Sequence, residues 1–184
     1  MRIYLQRRTK GTVAVYSTPV VDFFARGEQH ELGLVDELVE GMLASACLVL
    51  LQTPTVLLQP LLLIAIYEAL LRHRPLVTVL IEGSGYAFST AKAELSDLAA
   101  CLDKLHGPGT HRNFGVLLRL RGHRVQDVEQ KLLNTIPERI AVRFSVSGGA
   151  QRTVGFVEEL VNRIQSEKNR MTSLDVCDAS PGEA

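Results

Sequence analysis

The chain has 184 residues, of which 46% are hydrophobic, enough to bury the core of one domain of ordinary size but not of two. Its 20 basic residues balance its 20 acidic ones, so the formal net charge is +0. With no net charge, the chain has no long-range electrostatic attraction for nucleic acid or for an anionic membrane. Any partner must therefore be recognised by local features.

The cysteines and the first residues both indicate a cytoplasmic protein. The three cysteines form no C-x-x-C motif, and their odd number favours buried thiols in a reducing compartment over disulfides or zinc. The opening stretch reads MRIYLQRRTKG, and its apolar part is shorter than the roughly seven residues that a secretory signal needs. The sequence therefore predicts no export signal.

The first predicted elements are a strand at Thr12–Ser17, which reads TVAVYS, and a helix beginning near Leu34. The helix is predicted because Leu34, Leu38 and Met42 are four residues apart and share one face. Only about ten residues precede Thr12, and a parallel crossover needs roughly ten to twelve. We therefore expect a sheet that lacks its first strand-helix unit and is incomplete, rearranged or completed by another chain.

The middle of the chain is an uncharged run from Gly41 to Tyr67, longer than the roughly 20 residues that a membrane-spanning helix needs. Pro54 and Pro60 interrupt it, and a proline inside a helix costs about 3 kcal/mol or more. The breaks favour a strand CLVLLQ, a helix that follows Thr53, and a strand PLVTVLIEG over a membrane span. Both strands are apolar at successive positions, as in parallel strands covered on both faces.

The second half continues the alternation of helices and strands. Further helices are predicted for STAKAELSDLAACLDKL, HRVQDVEQKLLNTI and AQRTVGFVEELVNRIQ, and a strand for RIAVRFSV. The pattern predicts an α/β fold with an open, mainly parallel, flavodoxin-like sheet and helices on both faces. The periodicity ends after residue 166, so we expect one domain over residues 1–166 and a disordered tail over 167–184.

A G-x-G pattern follows the second central strand, at Gly83 and Gly85, and begins like a dinucleotide-binding fingerprint. Phe88 occupies the place of the third glycine and is too large for the close contact between helix and strand that the fingerprint requires. The pattern favours a turn that uses the glycines for unusual backbone angles. It predicts no bound nucleotide cofactor.

A basic stretch runs from Lys104 to Gln126. It is either a surface for a phosphate or an acidic partner, or a solvated connection between helices. Because it lacks interleaved aromatic side chains for stacking, we favour the connection. Its histidines, His106, His111 and His123, do not have the i to i+4 spacing of a helical metal pair, which argues against zinc.

The segment from Leu43 to Phe88 resembles the central part of a TIR (Toll/interleukin-1 receptor homology) domain, in the divergent form of microbial eukaryotes and shortened at the N-terminus. Thr53 and Pro54 match the family's Ser-Pro element, Leu57 matches its leucine, and Pro75–Ile81 matches the following strand. The likeness extends more loosely from Leu34 to Gln165. It implies a sheet of five parallel strands and a role in signalling or scaffolding through protein partners, other TIR domains or self-association.

The resemblance also locates the glutamate with which some TIR domains cleave NAD. Counting without a gap places Leu61 and Leu62 at the family's Trp-Cys pair and Ala65 at the glutamate. A methyl group neither stabilises a developing oxocarbenium charge nor takes a proton. Glu68 is the fallback carboxylate, or else a solvent-facing residue paired with Arg72 at i+4, worth a few tenths of a kcal/mol.

Three functions stay open at this point. The favoured one is a non-catalytic interaction module that uses its helices and the turn formed by Gly83, Ser84, Gly85, Tyr86 and Phe88. The alternative is an NAD nucleosidase that uses Glu68 or another carboxylate, with NAD as its substrate. The third is a degenerate domain fragment without activity of its own.

Overall fold

The computed structural model describes residues 2–5, 13–16, 28–137, 139–147 and 149–178. The described part contains five strands and seven α-helices. In chain order they are β1 (Arg2–Leu5), β2 (Val13–Tyr16), α1 (Glu28–Ala44), β3 (Leu48–Gln52), α2 (Pro60–Leu71), β4 (Leu76–Ile81), α3 (Phe88–Ser96), α4 (Leu98–His106), α5 (Thr110–Leu120), α6 (Val125–Thr135), β5 (Val142–Phe144) and α7 (Gly149–Asp178).

The centre of the fold is a parallel sheet with the strand order β3-β4-β5. Leu48 lies opposite Leu76, and Val79 lies opposite Val142. The helix α2 connects β3 to β4, so the predicted strand, helix and strand are confirmed at the middle of the chain. The chain therefore has the predicted α/β fold with an open parallel sheet.

Helices lie on both faces of this sheet, but the back of β3 is not covered as expected, since Val49 and Leu51 are 37% and 48% exposed. On the face that we call the front, apolar side chains of α1 to α6 pack with Leu50 and Leu76 in one large core. On the back, Val77, Val79 and Val142 pack against apolar side chains of α7. Successive residues of β4 thus alternate between two cores, which explains why the strand is apolar at nearly every position.

The helix α2 lies inside the front core. Pro60 occupies its first turn, where the missing N–H costs little, and ten of its twelve residues are buried. A single 3₁₀ turn at Val56–Leu58 precedes it, and Thr55 adopts a left-handed backbone with φ of +62°. The part of the uncharged run that forms α2 is therefore buried in protein. Among the described helices, none combines the length and the apolar character that a bilayer crossing requires.

The strand predicted at Thr12–Ser17 is present as β2, but it does not belong to the parallel sheet. It pairs with β1 as an antiparallel hairpin in a separate sheet, with Arg2 opposite Tyr16 and Leu5 opposite Val13. Residues 6–12 are too few for a crossover helix, whereas antiparallel strands need only a short connection. The parallel sheet has three strands in the described part of the chain, against the five implied by the resemblance.

Two predictions for the second half of the chain need correction. The helix predicted after Tyr86 is divided into α3 and α4 at Asp97, whose φ of −133° and ψ of 50° are not helical. The basic stretch is not a solvated connection, since its middle forms α5, where Phe114, Leu117 and Leu118 are buried. These three residues have the i, i+3, i+4 spacing of an amphipathic helix, which the surrounding arginines obscured.

The disordered tail predicted from residue 167 is also wrong over the described residues. The helix α7 continues to Asp178, and Glu167 is buried at 8% exposure. Arginines three and four residues away on the same helix, Arg170 and Arg163, hold its carboxylate. Such pairs support a helix that has few apolar residues. Residues 179–184 lie outside the described part.

Candidate functional site

The turn from Gly83 to Phe88, which we call the β4–α3 turn, follows the carboxyl end of β4. Gly83 and Gly85 have φ of +78° and +84°, so the prediction that the glycines supply unusual backbone angles is confirmed. The Ser84 hydroxyl donates to the backbone carbonyl of Gln52 over 3.3 Å, and the Tyr86 N–H donates to the Ser84 hydroxyl over 3.4 Å. The turn is therefore fastened to the end of the neighbouring strand, β3.

The outer part of the same turn is apolar. The rings of Tyr86 and Phe88 meet edge to face with their centroids 5.4 Å apart. Tyr86 packs against the front core, and its burial raises the pKa of its hydroxyl. Phe88 is 39% exposed. The turn thus presents one aromatic ring to solvent on a base that is anchored in the core.

Three buried polar side chains have no hydrogen-bond partner among the described residues, and one of them is the Tyr86 hydroxyl of the turn. The other two are Gln52, at the end of β3, and Thr78, in the middle of β4, with exposures of 0% and 1%. An unsatisfied buried polar group costs about 1–3 kcal/mol. The sequence offered a signal for Gln52 and Thr78, since each is a polar residue in an otherwise apolar strand.

Ala65 lies in the middle of α2 with 1% exposure. It belongs to the front core, where apolar side chains surround it. The position at which the resemblance expects a reactive glutamate is therefore closed to solvent. A carboxylate there would be surrounded by hydrocarbon rather than placed against a substrate.

Glu68 lies one turn further along α2 and is 5% exposed. Its Oε1 accepts hydrogen bonds from Arg121 Nε and His123 Nε2, each over 3.0 Å. The expected pair with Arg72 is present at a longer distance of 3.8 Å. The prediction that Glu68 faces solvent is wrong, because two residues after α5 reach across to cover it.

The environment of Glu68 keeps its carboxyl group ionised. Burial opposes the charge, but the hydrogen bonds from His123 and Arg121 outweigh burial and lower the pKa of Glu68. Arg121 also pairs with Asp36 of α1, and the His123 ring meets Tyr67 edge-on at 5.0 Å. These contacts join α1, α2 and the connection between α5 and α6, which is a structural role for the carboxylate.

Glu68 and the β4–α3 turn lie at opposite edges of the sheet. The helix α2 runs from the carboxyl end of β3 to the amino end of β4, and Glu68 is near its last turn. The turn follows the carboxyl end of β4. In open parallel sheets, ligands bind at the carboxyl ends of strands, so Glu68 is on the edge that such sites do not use.

A second cluster of charges lies behind the sheet at the same amino edge. Arg139 donates to the Leu76 carbonyl over 2.6 Å and to Glu167 over 3.3 Å. Arg170 approaches the same carboxylate at 3.2 Å. Sequence analysis missed this cluster because Glu167 was assigned to the tail; the available signal was the spacing of Arg163, Glu167 and Arg170.

The three histidines of the basic stretch do not come together. His106 Nε2 lies 2.6 Å from the Leu58 carbonyl, and His123 binds Glu68. At His111 it is the backbone N–H that is bound, by Asp103 over 2.7 Å. The three residues thus contact different parts of the fold: the 3₁₀ turn before α2, the helix α4, and the helix α2.

Comparison with known proteins identifies no relative. No protein-family profile, no curated protein and no solved structure matches the chain. The assignment of function must therefore come from the residues of the β4–α3 turn and of α2. In this parallel α/β domain, the turn is bonded to Gln52 through Ser84, and Glu68 of α2 is buried in an ion pair with Arg121.

Proposed function

We propose that this chain is a non-catalytic, TIR-like interaction module that binds protein partners, or a second copy of itself, in signalling or scaffolding. The observation that carries the proposal is the β4–α3 turn, where Phe88 is exposed on a base fastened to Gln52 and to the core. A rigid aromatic side chain loses little entropy on binding, and such residues often supply much of the binding energy at protein interfaces.

The state of the two candidate carboxylate positions supports the non-catalytic part of this proposal. Ala65 carries a methyl group inside the core. Glu68 would have to give up its hydrogen bonds to Arg121 and His123 before it could act on a ribose. Cleavage of NAD by this chain would therefore require a carboxylate at another position, or a rearrangement of α2 that frees Glu68.

The experiment that tests the proposal incubates the purified chain with NAD and measures nicotinamide release. We expect release no faster than in buffer, and the Glu68→Gln variant, which keeps the shape of the side chain, should give the same result. Nicotinamide release faster than in buffer would overturn the proposal, and its loss in Glu68→Gln would assign the reaction to Glu68, whereas its persistence would assign it to another group.

A further inference from the structure

The two edge strands of the parallel sheet, β3 and β5, differ in how they are protected against pairing with another chain. The strand β5 is three residues long, and its middle residue is the exposed Arg143. Shortness and charged side chains are the usual devices that keep an edge from pairing. The strand β3 has five residues and lies in a run without a charged residue from Gly41 to Tyr67. Of these two edges in the described part of the chain, β3 is therefore the unprotected one.

The backbone of β3 presents hydrogen-bonding groups at its outer side. The Leu48 N–H donates to the Pro75 carbonyl over 2.8 Å, so the backbone groups of Leu48 face β4. Because successive residues of a strand direct these groups to opposite sides, those of Val49 and Leu51 face away from β4. Among the described strands, β4 is the one that pairs with β3. The N–H and C=O groups of Val49 and Leu51 are therefore available to a further strand.

The side chains of the same two residues are apolar and incompletely covered. Val49 is 37% exposed and Leu51 is 48% exposed, because α7 packs against β4 and β5 on this face of the sheet. The parallel register of β3 with β4 is unbroken from Leu48 to Gln52, so no bulge twists the edge away from a neighbour. A regular, apolar and exposed edge strand is a template for pairing with another chain.

We propose that β3 pairs antiparallel with β3 of a second copy of the chain, about a two-fold axis, so that the two parallel sheets become one continuous sheet. The register that pairs the whole strand places Leu50 opposite the partner's Leu50 and Val49 opposite the partner's Leu51. In this register the outward backbone groups of Val49 and Leu51 form the hydrogen-bonded pairs of an antiparallel ladder. Their side chains also become cross-strand neighbours on the exposed face.

The chemistry of the edge favours a second copy as its occupant. A two-fold axis makes one strand edge the complement of itself, and two-fold dimers are by far the commonest oligomers. Because the run from Gly41 to Tyr67 is uncharged, it places no like charges opposite each other across the axis. It also contains no charge by which a charged partner could be selected. Phe88 of the β4–α3 turn is not part of this edge, so the inference goes beyond the proposed function and does not rest on it.

Sedimentation velocity of the whole chain tests the proposal. A single strand pair is a small interface, so we expect a monomer–dimer equilibrium with a dissociation constant on the order of 10–100 µM. A chain that stays monomeric at concentrations well above this range overturns the proposal. Phe88→Asp should leave this step unchanged and affect only association beyond the dimer or binding to other proteins. Loss of the dimer in Phe88→Asp would assign it to the β4–α3 turn and overturn pairing through β3.

Opposite charges introduced at Val49 test the two-fold register. In the proposed pairing, Val49 and the partner's Val49 are diagonal neighbours about 7–8 Å apart, within reach of long side chains. Val49→Lys and Val49→Glu should each weaken the dimer by about fivefold or more, because like charges then meet across the axis. An equimolar mixture of the two variants should recover the dimer, which also shows that both variants are folded. No weakening in the single variants, or no recovery in the mixture, overturns the proposal.

A matched control places the same charge outside the proposed interface. Val146 follows β5 at the other edge of the sheet and is 75% exposed. Val146→Lys should leave the dissociation constant of the dimer unchanged. If Val146→Lys weakens the dimer as much as Val49→Lys does, the effect is not specific to β3 and the proposal is wrong.

Amide hydrogen exchange tests the added strand itself. As the protein concentration rises through the dimer range, the Val49 and Leu51 amides should become protected by about fivefold or more, because each gains a hydrogen bond. The Leu50 amide faces β4 and should be protected equally at all concentrations, which makes it an internal control. Val49 and Leu51 amides whose exchange does not depend on concentration overturn the proposal. Fast exchange would place any dimer contact elsewhere, and slow exchange would show that the chain covers this edge itself.

Discussion

Glu68 and Arg121 are 53 residues apart in the chain, and their side chains meet through a 3.0 Å hydrogen bond between Arg121 Nε and Glu68 Oε1. The bond joins the buried helix α2 to the connection that follows α5. Both side chains are largely withdrawn from water, with exposures of 7% and 16%. Removing one partner therefore leaves the other charge poorly solvated.

Glu68→Ala should destabilise the fold by about 2–3 kcal/mol, somewhat less than the loss from a fully buried pair because Arg121 retains some solvent contact. Glu68→Gln should cost less, since its amide oxygen still accepts a hydrogen bond. Urea denaturation measures both losses. As a control, Glu158→Ala on the exposed face of α7 should change stability by less than about 0.5 kcal/mol. Equal stabilities of Glu68→Ala and the control would show that the network does not stabilise the fold.

Acid should weaken the fold through the same carboxylate. The pKa of Glu68 is lowered in the folded state from its ordinary value of 4.5, so the unfolded chain binds the proton more readily. The stabilisation is fully present above pH 4.5 and is lost as the pH falls through the lower, folded pKa. Urea midpoints between pH 7 and pH 3 measure this loss. The difference in stability between the wild type and Glu68→Gln should shrink over that range, and a constant difference would contradict the prediction.

The interior of α2 should be the part of the chain most sensitive to truncation. Ile64 has 0% exposure, and Ile64→Ala should cost about 2–5 kcal/mol, from lost burial and from the cavity that is left. Leu71 lies at the end of the same helix with 42% exposure, and Leu71→Ala should cost less than about 1 kcal/mol. Chemical denaturation of the two variants compares them directly. Similar losses would mean that α2 is not embedded as described.

The Cys47 thiol should be slow to react. Burial raises its pKa to about 11, and the nearby Glu167 carboxylate contributes to the increase. Since the thiolate is the nucleophile, iodoacetamide at pH 8 should modify Cys47 well below the rate of free cysteine, by about tenfold or more. Site-resolved mass spectrometry gives the rate. Modification as fast as that of free cysteine would contradict the described burial.

The β4–α3 turn should govern association if the proposed function is right. Phe88→Asp should weaken self-association, or binding to a partner captured with the wild-type chain, by about tenfold or more, as for an aromatic residue at an interface centre. Sedimentation velocity over a range of concentrations measures self-association. Leu120→Asp is the matched control, since Leu120 is 59% exposed on a different helix. If both variants behave alike, the turn is not the interface.

The central strand-helix-strand unit was predictable because its signals are local. Pro60 sets the start of α2, and runs of mostly apolar residues mark β3 and β4. The hairpin of β1 and β2 was not predictable from the same signals, since apolar strand residues do not reveal which strand they pair with. Pairing depends on the length of the connection and on competition among edges.

The candidate site was predictable only in part, for a similar reason. The positive φ of Gly83 and Gly85 follows from the residue type and was expected. The burial of Glu68 depends on Arg121 and His123, which are separated from α2 in the chain by β4, α3, α4 and α5. Near α2 in the sequence, only Arg72 is visible as a partner, so a solvent-facing pair was the natural interpretation. Contacts of this range are not encoded in any short window of sequence.

Glu68 in front of the sheet and Glu167 behind it both hold arginines at the amino edge, and Arg139 is also bonded to the first residue of β4. The opposite edge contains the unsatisfied side chain of Gln52 and no comparable set of ion pairs among the described residues. The domain is therefore mechanically asymmetric. On heating or under tension, the strands should separate first at their carboxyl ends, near the β4–α3 turn. The amino ends, which the arginine ion pairs join, should separate last.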